Sequence, residues 1–100
     1  VNDPKLLVFD EPCQGLDFNS KECLLRDIDR LANDIPVVYV THNLQDLPKC
    51  ISHVMCIKGG EMTGLGVKDM VLTSETLSDL FDCPLLVKKR GFRYYIEYDE

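Results

Sequence analysis

The chain has 100 residues, of which 45% are hydrophobic and 28% are charged, and its formal net charge is -6. This size and composition limit it to one globular domain or part of one, and no stretch resembles a transmembrane or signal segment. Nucleic-acid and anionic-membrane surfaces require clustered Lys and Arg, so the acidic balance argues against both kinds of partner.

The first predicted element is a short apolar strand that ends in two acidic residues. Leu6 to Phe9 are four consecutive apolar residues, which is typical of a strand buried on both faces. Asp10 and Glu11 therefore lie at its carboxyl end, where open α/β sheets bind ligands. Pro12 disfavours helical dihedrals at the preceding residue, so we expect Glu11 to be extended, and Gly15 allows the chain to turn back.

An amphipathic helix is predicted next. Asn19 with Glu22 resembles a capping box, in which side chains at the start of a helix bond its free backbone N–H groups. Apolar residues recur at helical spacing from Leu24 to Ala32, so one face of this helix can cover the sheet. Asn33 and Asp34 end the helix.

A second strand is predicted to bring a histidine to the same edge of the sheet. The run from Pro36 to Thr41 is apolar and rich in β-branched residues, and His42 follows it. Neighbouring strands lie about 4.8 Å apart, so direct pairing would place Glu11 and His42 within reach of one phosphate group. A short helix capped by Asn43 is expected to continue through about Lys49.

The C-terminal half is predicted to form two hairpins with a helix between them. Glycines mark the turns, at Gly59-Gly60 in the first hairpin and at Arg90-Gly91 in the second. The predicted bounds are strands at 54–57 and 61–65, a helix at 73–81, and strands at 85–89 and 92–98. Tyrosines of the last strand are expected to pack across the hairpin, with an interaction patch as the alternative.

The five cysteines form an odd set without Cys-x-x-Cys spacing. This argues against a zinc site or a disulfide framework, and free thiols in a reducing cytoplasm are the simplest account. Cys23 and Cys56 are expected to act as small hydrophobic residues in a helix and a strand. Cys13 lies two residues from Glu11, so its alkylation is a candidate route to inhibition.

The motifs together resemble those of ATP-binding-cassette (ABC) ATPases. The pattern strand-Asp-Glu-Pro-x-x-Gly-Leu-Asp at 6–17 resembles the Walker B and D-loop segments, and Thr41-His42 after the second strand resembles the switch-histidine segment. The resemblance covers most of the chain. It implies an α/β P-loop NTPase fold of the RecA-like ABC type, with a mostly parallel sheet core and a C-terminal β-hairpin.

Other family motifs do not occur in these residues. There is no Gly-x-x-x-x-Gly-Lys-Ser/Thr phosphate loop (Walker A), no Q-loop and no Leu-Ser-Gly-Gly-Gln signature. Residues 1–100 are therefore expected to be the C-terminal portion of one nucleotide-binding domain, and to be inactive alone. In the family the phosphate-loop strand lies between the His42 strand and the strand at 54–57. Without it, we expect the fragment to rearrange its strands or to self-associate through open sheet edges.

The resemblance also implies roles for four residues. Asp10 would hold Mg²⁺ through coordinated water, and Glu11 would polarise the attacking water. His42 would contact the γ-phosphate, and Asp17 would reach across a dimer interface to couple two sites. Structural alternatives exist for each: the two acidic residues can cap a turn, the histidine can be a bonded core or turn residue, and Asp17 can be a turn or helix-entry residue.

The implied function is ATP binding and hydrolysis, with ATP and Mg²⁺ as cofactors, in a parent protein that powers transport. Expected partners are a second ABC ATPase subunit or domain and membrane-spanning permease subunits, which would hold the protein at the cytoplasmic face of the cell membrane without inserting it. Pro12 and the C-terminal hairpin resemble features of the ATPase subunits of importers, with metal chelates or oxyanions as candidate cargoes. Alternatives are a soluble ABC-type ATPase acting on ribosomes or DNA, and a non-catalytic interaction fragment.

Overall fold

In the computed structural model, which describes residues 6–98, the chain divides into two units, Val1–Ile51 and Ser52–Glu100. A β-α-β unit forms the first of them. Its elements are strand β1 (Leu7–Asp10), helix α1 (Phe18–Leu31) and strand β2 (Val37–Val40). The strands pair in parallel, with Asp10 opposite Val40. Parallel neighbours need a crossover connection, which α1 supplies, so the predicted strand-helix-strand order is confirmed.

The two parallel strands have one half-buried face and one exposed face. Phe9 and Tyr39 are neighbours on the half-buried face, with ring centroids 6.5 Å apart. Val8 and Val38 point to the other face and are 62% and 45% exposed. The prediction that β1 is buried on both faces is therefore wrong for the described residues, because residues 6–98 cover only one side of this sheet.

Helix α1 is capped by a different residue from the predicted one. The Asp17 side chain accepts a hydrogen bond from the Ser20 backbone N–H at 2.7 Å, and the helix begins at Phe18. The capping box predicted at Asn19 is thus wrong by two residues, because Asn19 is already within the first turn. Cys23 also differs from expectation, since it is exposed on this helix.

The segment after β2 is a single 3₁₀ turn at Leu44–Asp46 rather than a helix reaching Lys49. Asn43 precedes it but makes no side-chain capping bond. Pro48 explains the early end, because a residue before proline is driven towards extended dihedrals. Leu47 has φ -75° and ψ 127° in accordance with this rule.

Two antiparallel hairpins and two helices make up the second unit. Their bounds are β3 (His53–Lys58), β4 (Glu61–Val67), α2 (Lys68–Val71), α3 (Ser74–Phe81), β5 (Leu85–Arg90) and β6 (Arg93–Tyr98). β3 pairs with β4 and β5 with β6, so both predicted hairpins are confirmed. Thr73 caps α3 through its side chain as expected. Only the single-turn helix α2 was absent from the prediction.

The second unit has its own small core. Its buried side chains come from β3, α2, α3 and the C-terminal hairpin, and they include Cys56, Val71, Leu77, Leu85 and Tyr94. The burial of Tyr94 and Cys56 agrees with their predicted packing roles. Tyr98, by contrast, is 76% exposed at the end of β6.

The parallel pair β1–β2 has two open edges within the described part of the chain. Among residues 6–98, β1 and β2 hydrogen-bond only to each other, so each has an outer edge without a described partner strand. Self-association through these edges stays a prediction. No helix in this part of the chain is both long and apolar enough to span a lipid bilayer.

The packing of α1 can be tested with two substitutions on the same helix. Ile28 is fully buried, whereas Leu31 is 44% exposed. Ile28→Ala should lower the free energy of unfolding by about 2–5 kcal/mol, because it removes buried methyl groups and leaves a cavity. Leu31→Ala should change it by only about 0.5 kcal/mol. Urea unfolding followed by circular dichroism would measure both, and equal effects would contradict the packing described for α1.

Candidate active site

The parallel register brings two short acidic and polar segments together at the carboxyl ends of β1 and β2. Glu11 follows β1, and Thr41 and His42 follow β2. The Glu11 backbone N–H donates to the carbonyl oxygen of Val40 at 2.8 Å, which extends the strand pairing by one residue. Side chains from the two segments therefore meet at one edge, as the sequence predicts.

The Glu11 carboxylate is held by three donors from the β2 segment. Its Oε1 accepts from the His42 backbone N–H at 2.8 Å and lies 2.5 Å from His42 Nδ1. Its Oε2 accepts from the Thr41 hydroxyl at 3.1 Å, and Thr41 Oγ1 in turn accepts from the Asn43 backbone N–H at 3.0 Å. The predicted proximity of Glu11 and His42 is confirmed, while Thr41 is a supporting residue to which the sequence assigned no role.

The contact with the Glu11 carboxylate calls for a proton on Nδ1 of His42. A carboxylate oxygen can only accept, so the proton between Oε1 and the ring is carried on Nδ1. Nε2 has no hydrogen-bond partner within residues 6–98, and the His42 side chain is 73% exposed. His42 is therefore oriented at one nitrogen and available at the other.

Glu11 has an unusual backbone conformation. Its φ is +48°, in the left-handed region that side-chain-bearing residues seldom adopt. The expectation that Pro12 would hold Glu11 extended is therefore wrong. The hydrogen bonds to the β2 segment offset the conformational cost, and the turn that follows closes with the Gln14 N–H donating to the Glu11 carbonyl at 3.2 Å. Gly15, at φ +82°, continues this turn as predicted.

Electrostatics keep Glu11 ionised. Partial burial alone would raise the pKa of its carboxyl, but hydrogen bonds from the His42 backbone, the His42 ring and Thr41 outweigh this effect. The pKa of Glu11 is consequently lowered from its ordinary value of 4.5. At neutral pH the group is a carboxylate, so it acts as a hydrogen-bond acceptor.

Asp10 is the candidate metal-binding residue. It lies at the end of β1 on the exposed face, and its side chain makes no hydrogen bond or ion pair with residues 6–98. Within that range no three acidic, His or Cys side chains cluster closely enough to hold a metal by themselves. Mg²⁺ typically keeps several waters and takes one or two carboxylates together with substrate phosphates. The carboxylate of Asp10, which has no partner among residues 6–98, fits such an ion.

Asp17 is occupied locally. Its Oδ1 caps α1 through the Ser20 N–H, and this hydrogen bond is the main reason why the pKa of Asp17 falls below its ordinary value of 3.8. The helix-entry interpretation that the sequence left open thus describes what the structure contains. An interface role for Asp17 stays a prediction, and Oδ2 is the oxygen that it would use.

A pocket with a volume of about 370 Å³ opens beside these groups. Its lining includes Glu11, His42 and Gly15, together with the oppositely charged pair Lys21 and Asp46. No sequence pattern predicts that pair, since the two residues belong to different elements and 25 positions separate them.

Tyr39 lies beneath the site. Its hydroxyl donates to the Asp46 carbonyl oxygen at 2.5 Å and lies 3.3 Å from Cys13 Sγ. Burial, with a smaller effect from the Cys13 contact, raises the pKa of Tyr39 far above its usual range, so the hydroxyl stays protonated and can always donate. Cys13 itself is only 5% exposed, which limits the access of alkylating reagents.

Comparisons with known proteins agree on ABC transporters and their ATP-binding proteins. No protein-family model matches the chain. It is 40% identical over 88 residues, or 85% of its length, to the uncharacterized ABC transporter ATP-binding protein YlmA of Bacillus subtilis. It is 33% identical over 79 residues, or 77% of its length, to the molybdenum import ATP-binding protein ModC of Vibrio vulnificus. The chain spans 33% of the Bacillus protein and 22% of the Vibrio protein.

The fold of this chain is similar to part of a solved structure. A metal-chelate type ABC transporter in an inward-facing conformation matches 93% of this chain with a TM-score of 0.75 and 24% identity, and the match covers 38% of that protein. The predicted α/β fold of an ABC ATPase fragment is confirmed by this similarity.

The capping role of Asp17 leads to a pH-dependent prediction. Because its pKa is lowered in the folded state, the carboxylate stabilises the fold above pH 3.8, and this stabilisation fades as the pH falls through the folded pKa. Asp17→Ala should lower the melting temperature at pH 7, and the difference from the wild type should narrow in acid. Asp17→Asn should stay close to the wild type, since Asn caps as well as Asp.

Asp27→Ala provides the matched control on the same helix, because the Asp27 side chain is exposed and forms a 3.8 Å ion pair with Arg30. Melting curves recorded by circular dichroism between pH 3 and pH 7 would follow all three variants. A pH-independent loss in Asp17→Ala would contradict the capping assignment.

Proposed function

We propose that this chain, whose curated homologues are ATP-binding proteins of ABC transporters, is the C-terminal portion of an ABC nucleotide-binding domain that hydrolyses ATP. The observation that carries the proposal is the Glu11–His42 pair, with a contact of 2.5 Å. Glu11 and His42 meet at the carboxyl ends of two parallel strands, where α/β folds bind their ligands, and Asp10 is the last residue of one of these strands.

Each residue has a defined task in this proposal. Glu11 accepts a hydrogen bond from the attacking water and orients it, which its ionised state at neutral pH favours. Its low pKa makes it a weak base, so positioning and charge are its main contributions. His42 is held at Nδ1 by Glu11, and with both ring nitrogens protonated its Nε2–H would donate to a γ-phosphate oxygen. Asp10 would hold Mg²⁺ through water, and the ion would supply positive charge at the phosphates.

Partners follow from the same proposal. Because the chain spans 33% of YlmA and 22% of ModC, the phosphate-binding loop would come from other parts of the protein. Asp17 would contact a second ATPase subunit or domain through Oδ2, and permease subunits would hold the protein at the cytoplasmic face of the membrane. The names of ModC and of the metal-chelate transporter support import of an oxyanion or a metal chelate.

The hydrolytic roles can be tested in the complete ATPase subunit. Glu11→Gln preserves size and most hydrogen bonds but removes the negative charge, so kcat should fall by about 10²–10⁴-fold while the Kd for ATP stays close to the wild-type value. His42→Ala should lower kcat in the same way, because it removes the contact to the γ-phosphate.

Steady-state phosphate release and fluorescent-nucleotide binding would separate these two parameters. His53→Ala is a matched control, since His53 is an exposed histidine that hydrogen-bonds Ser52 in the other unit. Normal turnover in Glu11→Gln would remove Glu11 from the reaction.

The isolated chain provides a second test. Residues 1–100 contain no phosphate loop, so calorimetric titration with Mg-ATP should show no binding in the micromolar range. Light scattering on the same sample would show whether it self-associates through the open edges of β1 and β2. Micromolar ATP binding would mean that the chain holds nucleotide without the missing half.

A further inference from the structure

A mostly buried ion pair lies one turn away from each of two candidate functional segments. Lys21 Nζ is 3.1 Å from Asp46 Oδ1, and the side chains are only 22% and 9% exposed. Lys21 belongs to the first turn of α1, and Asp46 is the last residue of the 3₁₀ turn after β2. The pair therefore joins two elements that are far apart in sequence.

Lys21 is tied to the D-loop residue. Its backbone N–H donates to the Asp17 carbonyl at 3.0 Å, which closes the first turn of α1. Asp17 caps the same turn through Oδ1. A shift of this turn would consequently move Lys21 and Asp17 together.

Asp46 is tied to the candidate catalytic pair. Its backbone N–H donates to the Asn43 carbonyl at 3.0 Å, and the Asn43 N–H bonds Thr41, whose hydroxyl donates to Glu11. The carbonyl oxygen of Asp46 also accepts a hydrogen bond from the hydroxyl of Tyr39, in β2, at 2.5 Å. The turn that carries Asp46 is thus fastened to the strand that positions His42.

Stability alone is a poor explanation for this pair. Buried ion pairs often contribute little net stability, because desolvation of both charges opposes their attraction. Asp46 Oδ1 also receives no well-aligned hydrogen bond from residues 6–98. Its contact with Lys21 Nζ is therefore mainly an attraction between opposite charges. A buried pair of this kind is better suited to fixing a relative position than to adding stability.

We propose that the Lys21–Asp46 ion pair is a positioning device that couples the Asp17 turn to the Glu11–His42 pair within one subunit. The inference rests on the proposed ATPase function. A contact made by Asp17 at a subunit interface would shift the first turn of α1. The Lys21–Asp46 ion pair would transmit that shift to the turn next to His42. Both residues line the pocket beside Glu11, but the proposed role acts through the two turns that they join, so turnover rather than ATP binding is expected to respond.

The test uses the complete ATPase subunit and four single variants, three of which remove a charge. Lys21→Met and Asp46→Asn should each lower kcat about tenfold, because misplacement of reacting groups slows the chemical step, and KM for ATP should change by less than about twofold. Lys21→Arg keeps the charge and should restore most of the activity. Lys89→Met is the matched control, because Lys89 forms a Lys–Asp contact of the same 3.1 Å length with Asp69, on exposed side chains.

A double variant separates positioning from simple destabilisation. If the pair acts through His42, then Lys21→Met in a His42→Ala background should cause no further loss of kcat. If it only lowers the fraction of folded enzyme, the two losses should multiply, and this would overturn the proposal. Should Lys21→Met fail to fold, Asp46→Asn with His42→Ala answers the same question with a substitution of nearly equal volume.

The outcomes also distinguish this inference from the function on which it rests. If Glu11→Gln abolishes hydrolysis while Lys21→Met and Asp46→Asn behave like the wild type, the ATPase assignment stands and the positioning role is excluded. If the wild-type subunit shows no hydrolysis that depends on Glu11, the ATPase function fails, and the positioning role falls with it.

Discussion

The parallel pairing of β1 with β2 is the constraint on which the candidate site depends. Because Asp10 lies opposite Val40, the residues that follow them, Glu11 and Thr41, become neighbours at the end of the sheet. A slip of one residue would turn the alternate side chains to the opposite face and separate the carboxylate from its donors. The register, more than any single hydrogen bond, therefore determines which groups can act together.

Much of this arrangement could be predicted, because it follows from local patterns and one pairing rule. The apolar runs indicated both strands, and their common carboxyl edge indicated that Glu11 and His42 would meet. The glycine turns and the C-terminal hairpin also follow from residues whose dihedral preferences are strong. These predictions depend on interactions that short stretches of sequence contain.

The errors have a different origin. The left-handed φ of Glu11 arises from hydrogen bonds to another strand, which overrode the local preference set by Pro12. Two residues near the start of α1, Asp17 and Asn19, are both of a type that caps helices, and Asp17 is the one that caps α1. The contact between Lys21 and Asp46 has no sequence signature, since charged residues separated by 25 positions meet only after α1 and β2 pack. The exposed face with Val8 and Val38 likewise depends on what packs there, and residues 6–98 do not supply it.

A count of lone pairs on Glu11 shows how selective the site can be. A carboxylate offers about four acceptor positions on its two oxygens. The described donors occupy both positions on Oε1, through the His42 backbone and ring, and one on Oε2, through Thr41. One acceptor position is left, on Oε2. The hydrogen bonds that orient Glu11 thus leave room for one water molecule to donate to Oε2. The direction of the Thr41 hydroxyl determines from which side that water can approach.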